Sequence, residues 1–124
     1  MPVDILLDKE RRTMRMHAWG YVALADFTEG IEKTIQLIDS GTVDLRWGQI
    51  IDLTDVTSSE ELSSDDAKQI ASLSPWPPGA RRAIVVNDDR TRALAYLYQA
   101  VGKEKGQAIE VVETIEAAER WVAG

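Results

Sequence analysis

The chain has 124 residues, of which 44% are hydrophobic and 28% charged, the size and balance of one ordinary globular domain with enough apolar material for a core. Fourteen Lys and Arg against 21 Asp and Glu give a net charge of −7, which disfavours nucleic acid and anionic membranes, since both need a basic face. Cysteine is absent, which excludes disulfides, thiolate nucleophiles and thiolate metal sites, and a single histidine excludes a histidine-rich metal site within one chain.

The chain opens as a hairpin. Val3, Ile5 and Leu7 alternate with Asp4, Leu6 and Asp8, a period near two. Asp8-Lys9-Glu10-Arg11 is polar enough to turn on, and Met14, Met16 and Ala18 then alternate with Arg15, His17 and Trp19. Each strand therefore turns its apolar set to one sheet face. Gly20 ends or bulges the second strand. Leu24, Phe27, Ile31, Ile35 and Ile38 recur every three or four residues, a helical stripe closed by Asp39-Ser40-Gly41.

After a loop through Trp47, Gln49 to Leu53 reads as a short buried strand, and Thr54 to Glu61 as polar, irregular chain. Ser63-Ser64-Asp65-Asp66 offers a serine cap with acids in the first turn, so a second helix runs to about Leu73, with Ala67, Ile70, Ala71 and Leu73 inward. Ser74-Pro75-Trp76-Pro77-Pro78-Gly79 is a stiff loop. Ala83 to Val86 is another buried strand. A third helix follows with Leu94, Leu97, Tyr98 and Val101 as its apolar face and Gly102 near its end, where close packing or fraying explains the glycine. Ala108 to Val112 is the last strand; Thr114 caps a final helix carrying Ile115, Ala118, Trp121 and Val122.

The order is β-β-α-β-α-β-α-β-α. It implies an α/β fold in which an N-terminal hairpin leads into a largely parallel five-stranded sheet covered by about four helices, one domain over residues 1–124. No apolar run reaches the roughly 20 residues of a membrane span. The Met-Pro-Val-Asp start lacks the basic and apolar regions of a signal peptide, so the expected location is cytoplasmic.

Three segments carry a family resemblance: Ile50-Ile51-Asp52-Leu53-Thr54-Asp55-Val56, Ala83-Ile84-Val85-Val86, and the tail from Val111 to Val122 with its Thr114-Ile115-Glu116-Ala117-Ala118 start. Together with the element order they resemble the SpoIIAA-like superfamily of STAS domains, and more narrowly its small stand-alone bacterial members. The resemblance implies a SpoIIAA-like fold and a regulatory, non-enzymatic role. Partner-switching STAS domains place a phosphorylatable serine in a D-S-(S/T)-G motif at the second helix. Here that stretch reads Ser59-Glu60-Glu61-Leu62-Ser63-Ser64-Asp65-Asp66, without the preceding Asp or following Gly.

Charge concentrates where the third strand ends. Asp52, Asp55, Glu60, Glu61, Asp65 and Asp66 lie in one stretch without a basic residue, and the other 15 acids face 14 bases over the rest of the chain. In a parallel sheet this stretch emerges beside Asn87, Asp88, Asp89, Arg90 and Arg92, at the end where ligands and partners usually sit. The expected functional surface is therefore Thr54, Asp55, Ser58, Ser59, Ser63, Ser64, Arg90 and Arg92, with the serines as phosphate acceptors or plain helix caps. No spacing of these acids suits a metal, and His17 has no accompanying catalytic constellation, so neither a cofactor, a metal nor a catalytic residue is expected.

Trp76 either plugs the end of the second helix or stands out as an interface anchor; with Tyr96 it is a candidate contact for a homodimer. The leading expectation is a protein-interaction module that binds an unidentified partner protein through this pole. The alternative is a small-molecule binder, apolar or nucleotide, which requires an enclosed apolar cavity near the second and third helices. A third reading, an enzyme using Asp52 or Asp55 as a base, requires a buried carboxyl of raised pKa beside a cleft.

Overall fold

A computed structural model describes residues 2–124. The period-two segments become β1 (Val3–Asp8) and β2 (Thr13–Tyr21), an antiparallel pair in which Val3 faces Ala18 and Leu7 faces Met14. Then follow α1 (Leu24–Asp39), β3 (Gly48–Ser58), α2 (Ser64–Leu73), β4 (Arg81–Val85), α3 (Asp89–Glu104), β5 (Ala108–Val112) and α4 (Ile115–Ala123). The sheet order is β1-β2-β3-β4-β5, and every pair after the first is parallel. This is the element order that the hydrophobic periodicities imply.

The two faces of the sheet are covered unequally. Met16, Ala18, Ile51, Leu53, Ile84 and Ile109 point to the side that carries α1, α2 and α3. Their alternates Ile50, Ala83 and Val85 point the other way and meet α4 through Ala118, with Ile115, Trp121 and Val122 packed around it. A lone helix covers only the β3–β5 half of that second face, which leaves Leu6 of β1 half exposed.

Several local expectations change. α1 buries Phe27, Gly30, Ile31 and Thr34, while Ile35 faces water. Thr34 takes the inward place because its hydroxyl donates to the Gly30 carbonyl at 2.8 Å and so needs no water. Gly30 lets the helix approach the sheet: a Cβ there would lie 3.1 Å from Met16 Cε. Leu73, expected inward on α2, is exposed. β3 does not end at Leu53 but continues to Ser58, pairing with β2 alone across register shifts after His17 and after Gly20. Helix ends follow the sequence. Gly41 takes φ +80° beyond α1, and Ser63, Asp88 and Thr114 each accept a backbone N–H at the start of α2, α3 and α4. No helix among the described residues is long and apolar enough to cross a membrane.

Candidate functional site

Parallel strands send the ends of β3 and β4 to one rim, and there the residues expected to form a functional surface meet. Asp52 is buried at this end. Its Oδ1 accepts from the Thr54 hydroxyl at 2.7 Å and the Thr54 amide at 3.0 Å, and its Oδ2 pairs with Arg15 of β2. Burial alone pushes the Asp52 pKa up, but the Thr54 bonds and the Arg15 charge outweigh it and hold the carboxyl below its ordinary value. That is the opposite of what a general base at neutral pH needs. Asp55 is exposed and lies 2.7 Å from His17 Nε2, whose ring stacks on Trp19.

The loop between β3 and α2 is tied down from α3. Arg90 Nη2 donates to the carbonyls of Ser59, Glu60 and Leu62 at 3.3, 3.2 and 3.1 Å. Ser59 is buried, its hydroxyl 3.0 Å from that of Thr91, so it is not an open phosphate acceptor as the sequence suggested. Ser58 is half buried and its carbonyl accepts from Val22. Ser63 and Asp66 form a reciprocal capping box, each side chain bonded to the other's amide at 3.0 Å, while Ser64 is exposed in the first turn. Arg92 turns away from the serines to Asp89 and Glu113. Tyr96 is exposed, but Trp76 is not: at 2% exposure it packs with Met14, Val43 and Ala80 and offers no surface to a second chain.

A second feature lies beneath α2. That helix packs chiefly on α3 and α1, and its Ile70 and Ala71 join the core cluster that includes Ile51 and Ile84 of the sheet. The feature is an apolar cavity of about 70 Å³ lined by Phe27, Ile31, Ile51, Leu53 and Ile70 among others. Beside it, at the amino ends of the strands, lies a buried polar cluster. Arg82, 2% exposed, donates from Nε to Gln49 Oε1 and from Nη1 to Gln107 Oε1, both at 2.7 Å, and from Nη2 to the Tyr98 hydroxyl. Gln107 passes the chain on to the Trp76 carbonyl at 2.6 Å. No carboxylate lies in ion-pair reach of Arg82 among the described residues.

No family model matches the chain, and no curated protein matches it. Among solved structures it is similar to an uncharacterised protein of the DUF3478 family with a SpoIIAA-like fold from Shewanella loihica PV-4, at 14% identity and a TM-score of 0.54. That likeness covers 97% of this chain and 91% of the other.

The chain has a SpoIIAA-like fold.

Within the SpoIIAA-like frame, two regions are candidate sites: the pole at the carboxyl ends of β3 and β4, and the cavity under α2. The sequence singles out the first as a candidate but gives no sign of the Arg82 cluster beside the second. Arg82 is one of two arginines opening a strand, a pattern that reads as surface, and its partners Gln49, Tyr98 and Gln107 are scattered along the chain. Their one shared signal is position, since Gln49 and Arg82 are register partners at the amino ends of adjacent strands. Lys105 reports the resulting field: burial first, then the Arg82 charge, lower its pKa, although its Nζ donates to the carbonyls of Ala71, Ser72 and Ser74 at 3.1 to 3.4 Å.

Proposed function

We propose that this chain is a small-molecule-binding module of the SpoIIAA-like fold, seating its ligand between α1, α2, α3 and the sheet. The supporting observation is the cavity itself: about 70 Å³ of apolar space in an interior that would otherwise pack to crystal-like density. A dry cavity of about 150 Å³ admits benzene with its six carbons, so one of half that volume suits a ligand of about three non-hydrogen atoms. Xenon, neutral and small, is the direct test. Methyl resonances of Ile51, Leu53 and Ile70 should shift on pressurising the protein with xenon, and surface methyls should not. Equal, weak shifts across the molecule would remove this reading.

A second reading rests on the pole. The loop from Ser59 to Leu62 is fixed by Arg90, so Glu60, Glu61 and Asp65 are displayed on an ordered support beside exposed Ser64. A protein partner with a basic face would fit this surface, and ligand-dependent packing of α2 would couple the two sites. Charge reversal of Glu60 and Glu61 to Lys should abolish capture of such a partner and leave xenon uptake intact.

A further inference from the structure

The two edges of the sheet are finished differently. At the β5 edge, Gln99 of α3 reaches over and donates to the Ile109 carbonyl at 2.8 Å. The β1 edge has no such cover. In an antiparallel pair alternate residues bond across, and the residues between them turn their N–H and C=O groups away. Trp19 donates to the Pro2 carbonyl at 2.9 Å, and the register carries that pattern on to Asp4, Leu6 and Asp8. Val3, Ile5 and Leu7 therefore direct their backbone groups away from β2. No strand lies beyond β1, and no turn or loop backbone group bonds to these residues among the described residues. The intervening Asp4, Leu6 and Asp8 are all exposed, on the sheet face that α4 leaves uncovered, with Leu6 at 51% exposure. Asp4 has no ion-pair partner among the described residues, and Asp8 holds only Arg11 of its own turn, at 3.8 Å. Behind them Arg15 is taken by Asp52 and His17 by Asp55.

We propose that the β1 edge docks an extended segment of a partner protein, which adds one strand to the sheet and carries a basic side chain on either side of an apolar one. Main-chain bonds supply the attachment in this mode, and side chains at every second position supply the choice. The complement of Asp4, Leu6 and Asp8 is base, apolar, base, because opposite charges on facing strands attract and like charges repel. The same acids turn away a second copy. Antiparallel pairing centred on Leu6 would set Asp4 of each copy against Asp8 of the other. Centred on Ile5, it would set the acids against Leu6 and Pro2 and leave both charges unanswered. Charged side chains on a free edge commonly block self-pairing; here their sign also selects the partner. The net charge of −7 acts in the same two directions, against a copy and toward a basic segment. This site uses neither the cavity under α2 nor the pole.

The test titrates the intact protein with the end-capped peptide Thr-Lys-Thr-Val-Thr-Lys-Thr and with its counterpart carrying Glu in place of both Lys, read by NMR and amide hydrogen exchange. The Lys peptide should slow exchange at Val3, Ile5 and Leu7, whose N–H groups it pairs. Asp4 and Leu6, already bonded to β2, should not change. The Lys peptide should bind at least about fourfold tighter than the Glu peptide, the gain from reversing two cross-strand charge pairs. Asp4→Asn combined with Asp8→Asn should erase that preference. Asparagine keeps an acceptor for the Arg11 amide, which Asp8 accepts at 3.0 Å, so the turn holds. Equal binding of the two peptides, or binding without the alternating protection, would overturn the docking site. Protection of the same amides that grows with protein concentration in the absence of peptide would also overturn it, by making a second copy the occupant.

Discussion

A single carbon added at Gly102 would run into the Ile109 side chain and come within 3.2 Å of Gln107 Oε1. Helix propensity favours alanine over glycine by about 1 kcal/mol, whereas overpacking a filled interior costs about 1–3 kcal/mol. Packing wins here, because Ile109 is itself buried between α3 and the sheet. Gly102→Ala should therefore lower the urea midpoint, and a raised midpoint would show that the helix end merely frays. Asp52 poses a question of pH. Its folded pKa lies below the unfolded value of about 3.9. The stability it supplies is thus complete above about pH 4 and disappears as pH falls through the lower folded value. Asp52→Asn should cost about 1–3 kcal/mol at neutral pH by weakening the Arg15 and Thr54 bonds. The gap between variant and parent should narrow on acidification, as urea titrations from pH 7 to pH 3 would show. Asp44, held down to about 2 chiefly by its bonds to Arg46, sits in an exposed pair and should make little difference.

Among the elements, those with a strict period could be read from the chain, and those whose limits depend on neighbours could not. β1, β2 and the caps of α2 and α4 follow from alternation and from Ser63 and Thr114. The polar end of β3 reads as loop because Thr54, Asp55 and Thr57 carry no apolar signal, yet β2 runs on beside it and supplies the missing hydrogen bonds. Ile35 and Leu73 fit a helical stripe but fall outside the arc that the sheet and α3 cover. The pole was visible because charge and serines cluster in sequence; the Arg82 cluster was not, since it exists only once three strands and α3 are in register. α2 offers the clearest test of a local signal. Ser63→Ala removes half of its capping box and should cost about 1 kcal/mol, whereas Ser63→Asp, also a good cap, should cost little. Arg90→Ala should leave α2 folded but loosen the loop before it. Hydrogen exchange at the Leu62 amide, which donates to the Ser59 carbonyl at 3.0 Å, should accelerate in that variant with no change in the strands.

For the whole molecule, the uneven cover of the sheet explains why a cavity survives at all. Three helices share one face, and α2, the shortest of them, spans a gap between α1 and α3 without filling it. A void contributes to the volume lost on unfolding, because water occupies it once the chain opens. The 70 Å³ here corresponds to at most about 40 mL/mol, within the usual range for whole proteins, so the cavity should dominate the pressure response. Ala67 lines it from α2, and Ala67→Val places two more carbons there without a charge or a bond. The variant should unfold under pressure with a smaller volume change than the parent. Its stability at ambient pressure should shift by less than about 1.5 kcal/mol, since added burial offsets the poorer helix propensity of valine. High-pressure fluorescence of the tryptophans measures both quantities. A volume change equal to the parent's would mean that the introduced methyl groups point elsewhere or that the space already closes in solution, and the small-molecule reading would lose its physical basis.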